Sequence, residues 1–168
     1  GLSGPLTEDL ALLPTSLYGR VKAGAEDALF SMCSNAFCGA SLRPTGIYGR
    51  AAPGLPHKWQ DLFRDYLTGK TISPRSGTEL HGADFADAVL RLLSAPAAAV
   101  TVKAFNTSDL LIDRHDLLTR VARLTGCTHP PPSRDKTPVA EMDCSGLREL
   151  GWAPGGWSRL DAALPDLI

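Results

Sequence analysis

Apolar residues recur at helical spacing from Leu17 onward, with Val21, Ala25, Ala28, Leu29 and Met32 three or four positions apart, which predicts a helix over residues 17–35. Thr15 or Ser16 offers a capping hydroxyl at its start, and the Gly-, Pro- and acid-rich segment up to Pro14 reads as a loop leading into it. A second amphipathic stretch, residues 57–68, sets Trp59, Leu62, Phe63, Tyr66 and Leu67 on one side and stops at Gly69. Helices are also predicted over residues 83–93, over 113–124 with Gly126 as the stop, and over 144–150 before the breaker GWAP at 151–154.

Short apolar runs alternate with these helices. Residues 36–42 read as a buried strand that meets a turn at Arg43, Pro44, Thr45 and Gly46, after which Ile47, Tyr48 and Gly49 lead into a Gly/Pro-rich loop through Pro56. Residues 79–82 are strand-like, and 100–106 predict a strand before a turn at Ser108 and Asp109. Pro130, Pro131 and Pro132 form an extended connector, because proline cannot sit in a helix interior. The alternation predicts an α/β architecture.

Composition narrows the function classes. With 168 residues, 43% hydrophobic and 21% charged, the chain can build one core or a core shared between two lobes. A formal charge of -1 and no clustered basic run argue against binding to nucleic acid or to an anionic membrane. Cys33, Cys38, Cys127 and Cys144 form no CxxC pair or zinc-type spacing and read as reduced thiols. No apolar run approaches the ~20 residues of a membrane span, and residues 1–5 lack the features of a secretory leader, so a soluble cytoplasmic protein is expected.

The candidate chemistry centres on Tyr18 and Lys22, a phenol and an ammonium at i and i+4 and therefore on one helical face. A fixed positive charge favours an ionised phenol, which suits such a pair to proton transfer. Ala23, Gly24 and Ala25 make the helix slim beside the pair, as close packing or a ligand would require. His57, His81, Asp84 and Asp87 have metal-binding side chains, but Asp84 and Asp87 are better read as first-turn helix acids, and no metal is expected. Arg43 could face a phosphate or pair with a carboxylate, and the pairing is the better reading. Trp152 and Trp157 read as packing for the C-terminal region.

Six stretches agree in order with one family: PLTED (5–9), PTSLYGRVK (14–22) with Glu26, LRPTGIYG (42–49), LHGADFADA (80–88), FN (105–106) and LGWAP (150–154). On these motifs the chain resembles the extended short-chain dehydrogenases/reductases, the NAD-dependent epimerase/dehydratase family. The resemblance implies the C-terminal portion of a doubly wound parallel sheet, a partial Rossmann-like fold, with a small α/β substrate-binding lobe. It implies a division near residue 56: residues 1–56 carry the remnant of the dinucleotide-binding domain with the catalytic helix, and 57–168 interleave with it to form the substrate lobe.

The resemblance also implies roles. Tyr18 would be the catalytic acid/base, Lys22 would hold the nicotinamide ribose, and Pro44, Thr45, Gly46 and Ile47 would lie against the nicotinamide end of NAD or NADP. Arg75 and His81 fall in the region expected to meet a small-molecule substrate, a nucleotide sugar among the candidates. A homodimer through the catalytic helix, or association with a missing N-terminal part, follows in the same way.

The chain departs from the family in two places. No GxGxxG or GxxGxxG loop occurs to hold dinucleotide phosphates, and only seventeen residues precede Tyr18, too few for the catalytic Ser or Thr expected some two dozen positions earlier. Ser3 is a poor substitute. These departures lead to the expectation of a C-terminal part of a longer enzyme, inactive by itself, with a non-catalytic binding role, or a dehydrogenase or reductase of small carbonyls or uronates, as alternatives.

Overall fold

The structure, a computed structural model, describes residues 5–168, so Ser3 lies outside the described residues. In chain order the elements are α1 (Leu17–Met32), β1 (Ala40–Pro44), β2 (Gly46–Tyr48), α2 (Gln60–Leu67), β3 (Ser76–His81), α3 (Gly82–Ser94) and α4 (Ala97–Val100). There follow β4 (Lys103–Thr107), β5 (Leu110–Asp113), α5 (Arg114–Thr125), α6 (Ser145–Glu149), α7 (Gly156–Ala163) and a closing 3-10 turn, Leu164–Asp166.

The α/β architecture expected from the alternation is present. β1 pairs in parallel with β4, Ala40 opposite Lys103 and Pro44 opposite Thr107. β2 pairs in parallel with β3, which pairs antiparallel with β5. Only Thr45 separates β1 from β2, and its amide donates to the Thr107 carbonyl at 3.1 Å, so the first sheet hands the chain directly to the second. β1 and β4 lie on opposite sides of residue 56 in sequence.

Two apolar clusters hold the fold. Around the three-stranded sheet, Tyr48, Trp59, Phe63, Ile112, Leu117, Leu118, Leu160 and Leu164 bring α2, α5 and α7 together. Around β4, Leu80, Ala88, Phe105, Leu147 and Trp152 join α3 and α6. Both rest on side chains repeating at helical or strand spacing, the arrangement that removes apolar area from water.

Several boundaries differ from the sequence expectation for identifiable reasons. α1 ends at Met32 rather than residue 35, because Ser34 and Phe37 exchange backbone hydrogen bonds in a tight turn that delays β1 to Ala40. β1 then runs through Pro44, where the sequence predicts a turn. The strand expected over 100–106 starts only at Lys103, since Val100 closes α4 and Val102 takes a left-handed φ of 58°. β5 and α7 have no counterpart in the sequence expectation: Leu110–Asp113 is too short to display a period, and the two glycines opening α7 read as loop.

The apolar face of α1 is uncovered. Its residues do repeat at helical spacing, yet the helix contains no buried residue, and Val21 is 61% exposed. A β-carbon added at Gly24 would meet nothing within 4 Å, so the helix is open at that position. Among the described residues β1 offers a layer only two strands wide, too narrow to cover a sixteen-residue helix. No helix among the described residues is long and apolar enough to cross a membrane.

Candidate active-site cleft

The loop entering α1 folds onto its first turn. Ser16 Oγ accepts the Gly19 amide at 3.0 Å, and Arg20 Nη1 donates to the Thr15 carbonyl at 2.9 Å. A β-carbon at Gly19 would lie 2.9 Å from Pro14 Cβ, so glycine lets the loop approach this closely. Tyr18 then projects 72% exposed, and Lys22, one turn on, holds its Nζ 5.7 Å from the phenol ring centroid. Both line a cleft of about 710 Å³ between α1, Leu12, Leu13 and the strand residues Ser41, Leu42, Arg43 and Pro44.

Charge pairing closes the far end of this cleft. Arg43 Nε donates to Glu26 Oε2 at 3.0 Å while Nη2 reaches the other carboxylate oxygen, and Nη1 donates to the Glu8 carbonyl at 3.1 Å. The guanidinium holds the Glu26 carboxyl below the usual carboxylate range, against the opposing effect of burial. Of the two sequence readings of Arg43, pairing with a carboxylate is the one observed. The Glu8 side chain accepts the Asn106 amide at 3.0 Å, and Asn106 Nδ2 donates to the Leu6 and Asp143 carbonyls at 2.8 and 3.1 Å. Asn106 thereby fastens the incoming segment to the end of β4.

The other sequence-selected residues spread over further surfaces. Thr45 Oγ1 donates to Ser108 Oγ at 3.2 Å, and Gly46 lies beneath the Lys58–Glu79 ion pair, where a β-carbon would come 2.7 Å from Glu79 Oε2. Burial raises the Glu79 carboxyl above its ordinary value although Lys58 opposes it. Ile47 and His81 line a second cleft, of about 630 Å³, with Arg50, His57, Lys58 and Arg159. His81 Nδ1 accepts the Ala83 amide at 3.1 Å and so caps α3, and burial lowers the imidazole pKa. Arg75 is exposed beside a third, smaller cavity of about 130 Å³ that it shares with Lys58, Glu79 and Arg114. Tyr18, Lys22 and Pro44 thus share one cleft, while His81 and Arg75 stand in two others.

Asp84 stands in the first turn of α3, as read from the sequence, and is also buried. It is only 2% exposed, lies 3.2 Å from Arg159 Nε, and accepts the Gly155 amide at 3.2 Å, while its carbonyl takes the Trp152 indole N–H at 2.9 Å. Asp109 Oδ2 accepts the next amide, Gly156, at 2.9 Å. Together they latch the start of α7. The sequence signal for this latch is weak, because Gly155 and Gly156 display no side chain from which a partner could be read. Asp87, by contrast, pairs with Arg91 one helical turn away. Among the described residues no three His, Cys, Asp or Glu side chains gather as metal ligands would.

No protein-family model matches the chain, and no curated protein is similar enough in sequence to count as a relative. Solved structures do match its fold. The UDP-glucose 4-epimerase of Thermotoga maritima, solved with UDP-glucose, superposes with a TM-score of 0.73 at 21% identity over 98% of this chain. The UDP-glucuronic acid 4-epimerase of Bacillus cereus, solved with UDP-glucuronic acid and NAD, gives 0.75 at 19% over 99%. The dTDP-glucose 4,6-dehydratase of Bacillus anthracis, solved with NAD, gives 0.73 at 19% over 98%. The chain spans 56% of the length of each. These likenesses establish a partial Rossmann-like fold of the epimerase/dehydratase type.

The Tyr18 cleft fits one end of a dinucleotide. An exposed ammonium beside an exposed phenol supplies donors that a ribose diol can accept, and Pro44 offers an apolar wall. The sequence holds no glycine-rich strand-to-helix motif of the kind that cradles a pyrophosphate.

Proposed function

We propose that this chain carries the acid/base half of the active site of a nicotinamide-dependent enzyme acting on a nucleotide sugar, as an epimerase, dehydratase or dehydrogenase. The observation that carries the reading is the Tyr18–Lys22 pair, exposed on one face of α1 and lining a cleft against β1. The likeness in fold to epimerases and a dehydratase solved with nucleotide sugars or NAD supports it.

In this reading the Tyr18 phenol moves the proton of a substrate hydroxyl, and the Lys22 ammonium holds the ribose and keeps a positive charge beside the phenol. When bound, NAD or NADP supplies the hydride acceptor or donor. Pro44, Thr45, Gly46 and Ile47 lie against the nicotinamide end, while Arg75 and His81 meet the substrate. The rest of the Rossmann-like sheet, contributed by a further part of the protein or by a partner chain, holds the phosphates. In the intact enzyme Tyr18→Phe is expected to lower turnover by ~10²–10⁴-fold while leaving cofactor affinity in place. Unchanged turnover overturns the assignment.

The missing glycine loop favours a second reading, in which these residues bind a ligand or partner without turnover. Calorimetry of the 168-residue chain with NADH and NADPH separates the two. Micromolar binding removes the second reading, and no binding leaves it standing.

A further inference from the structure

Arg43 joins three pieces of chain around the Tyr18 cleft. From β1 its fork takes both oxygens of the Glu26 carboxylate on α1, and its remaining arm reaches the Glu8 carbonyl of the incoming segment. The pair is well covered, with side-chain exposures of 19% for Arg43 and 9% for Glu26. Glu26 stands one helical turn beyond Lys22 and two beyond Tyr18, so all three occupy one stripe of the helix.

That stripe matters because α1 has little else to fix it. The helix contains no fully buried residue, and Leu29 against Gly39 is a part-buried apolar contact, so apolar interlock does little to set its rotation or its height over β1. A bidentate guanidinium–carboxylate contact restricts both the distance and the angle between its partners. The Glu8 contact adds a third point, and the Asn106 amide holds the Glu8 side chain.

Resting on the reading of Tyr18 and Lys22 as proton carrier and ribose holder, we propose that Arg43 and Glu26 are positioning residues that set the register of α1 over β1. They thereby fix where the phenol and ammonium stand in the cleft. An arginine meant for a ligand anion would leave its fork open; here Glu26 occupies the fork. Lysine would keep the charge but not the two-point contact.

The test uses the intact protein with Arg43→Met, Arg43→Lys and Glu26→Gln, read by amide hydrogen exchange and by steady-state kinetics. In Arg43→Met, amides of α1 are expected to exchange ~10-fold faster or more, while those of α5, packed in the other apolar cluster, keep their rates. Turnover is expected to fall by ~10–100-fold with little change in KM, the scale of a small misplacement of reacting groups. Arg43→Lys and Glu26→Gln are expected to fall between wild type and Arg43→Met on both measures. Should Arg43→Met fail to fold, Glu26→Gln, which keeps shape and an acceptor, decides the matter by the same readouts.

Unchanged α1 exchange, or α1 and α5 loosening together, overturns the proposal, because the pair would then hold nothing or only general stability. Tyr18→Phe in parallel separates the two claims. If it spares turnover, the acid/base reading fails while exchange still decides what the pair holds. If it abolishes turnover and Arg43→Met does not slow it, the positioning role fails alone.

Discussion

Tyr48 stacks on Trp59 with ring centroids 4.8 Å apart and 19° between the planes, yet its hydroxyl is buried without a hydrogen-bond partner among the described residues. The rings belong to the cluster that holds the three-stranded sheet to α2 and α7, and such a stack contributes ~1 kcal/mol beyond its buried area. The hydroxyl works against this, since an unsatisfied buried donor costs ~1–3 kcal/mol. Burial, with the Asp109 and Asp84 carboxylates nearby, also pushes the phenol pKa well above its ordinary value. Tyr48→Phe keeps the stack and removes the orphan, so urea denaturation should show a gain of ~1 kcal/mol. A loss instead would mean that the hydroxyl is bonded, through a water, in the folded protein.

Asp84 gives the opposite expectation. Its carboxylate is almost fully covered and ties α3 to α7 through Arg159 and the Gly155 amide. Asp84→Ala leaves that amide without its acceptor and a cation without its partner, and should cost ~3 kcal/mol in urea denaturation. Asp84→Asn retains an acceptor for Gly155 and should cost less. Equal losses in the two variants would assign the effect to the charge alone.

Much of this architecture is legible in the sequence, because long periodic segments declare themselves. α1, α2, α3 and α5 lie where Leu, Val, Ala and Phe recur at helical spacing, and Gly126 stops α5 with a φ of 72°. β5 and α7 escape because four residues show no period and because glycine hides a helix start. In the cleft, Tyr18 and Lys22 are visible as an i, i+4 pair, but their support is not. The Glu8–Asn106 contact spans 98 positions and the Arg43–Glu26 contact 17, so neither could be read from local spacing. Periodicity likewise leaves the cover of α1 open: it reports that a helix is amphipathic, not what packs on it.

Asp109 makes a pH prediction whose sign follows from its burial. The carboxyl is raised above its ordinary value, chiefly by desolvation, although the Gly156 amide opposes this. An acid with a raised folded pKa binds more protons in the native state, so it lowers stability as pH rises. Its cost is absent below the unfolded value near pH ~3.9 and complete once pH exceeds the folded value. Asp109→Asn can still accept from Gly156 and carries no charge. The stability of the variant relative to wild type should therefore improve as pH rises from the unfolded value through the raised folded value, in a series of urea titrations. A flat difference would show that Asp109 titrates normally.

The uncovered side of α1 and β1 predicts how the chain behaves alone. Gly39 O accepts from Val102 and the Thr45 amide donates to Thr107, so odd-numbered residues of β1 direct their backbone groups at β4. By alternation Ala40 and Leu42 direct theirs the other way, toward an edge with no strand among the described residues. Leu17, Val21 and Met32 are exposed on α1, and Phe37 and Leu93 are exposed beside a cavity that Ala40 and Leu42 also line. An open edge flanked by apolar surface is a template for association. The 168-residue chain should therefore bind the dye ANS strongly and elute as more than one species in size-exclusion chromatography. Val21→Glu with Met32→Glu should reduce both signals without unfolding the clusters around Leu118 and Trp152, since neither residue is buried. In a complex that supplies the missing layer, the same pair of charges should weaken assembly. A monodisperse monomer with little dye binding would show that this surface needs no cover.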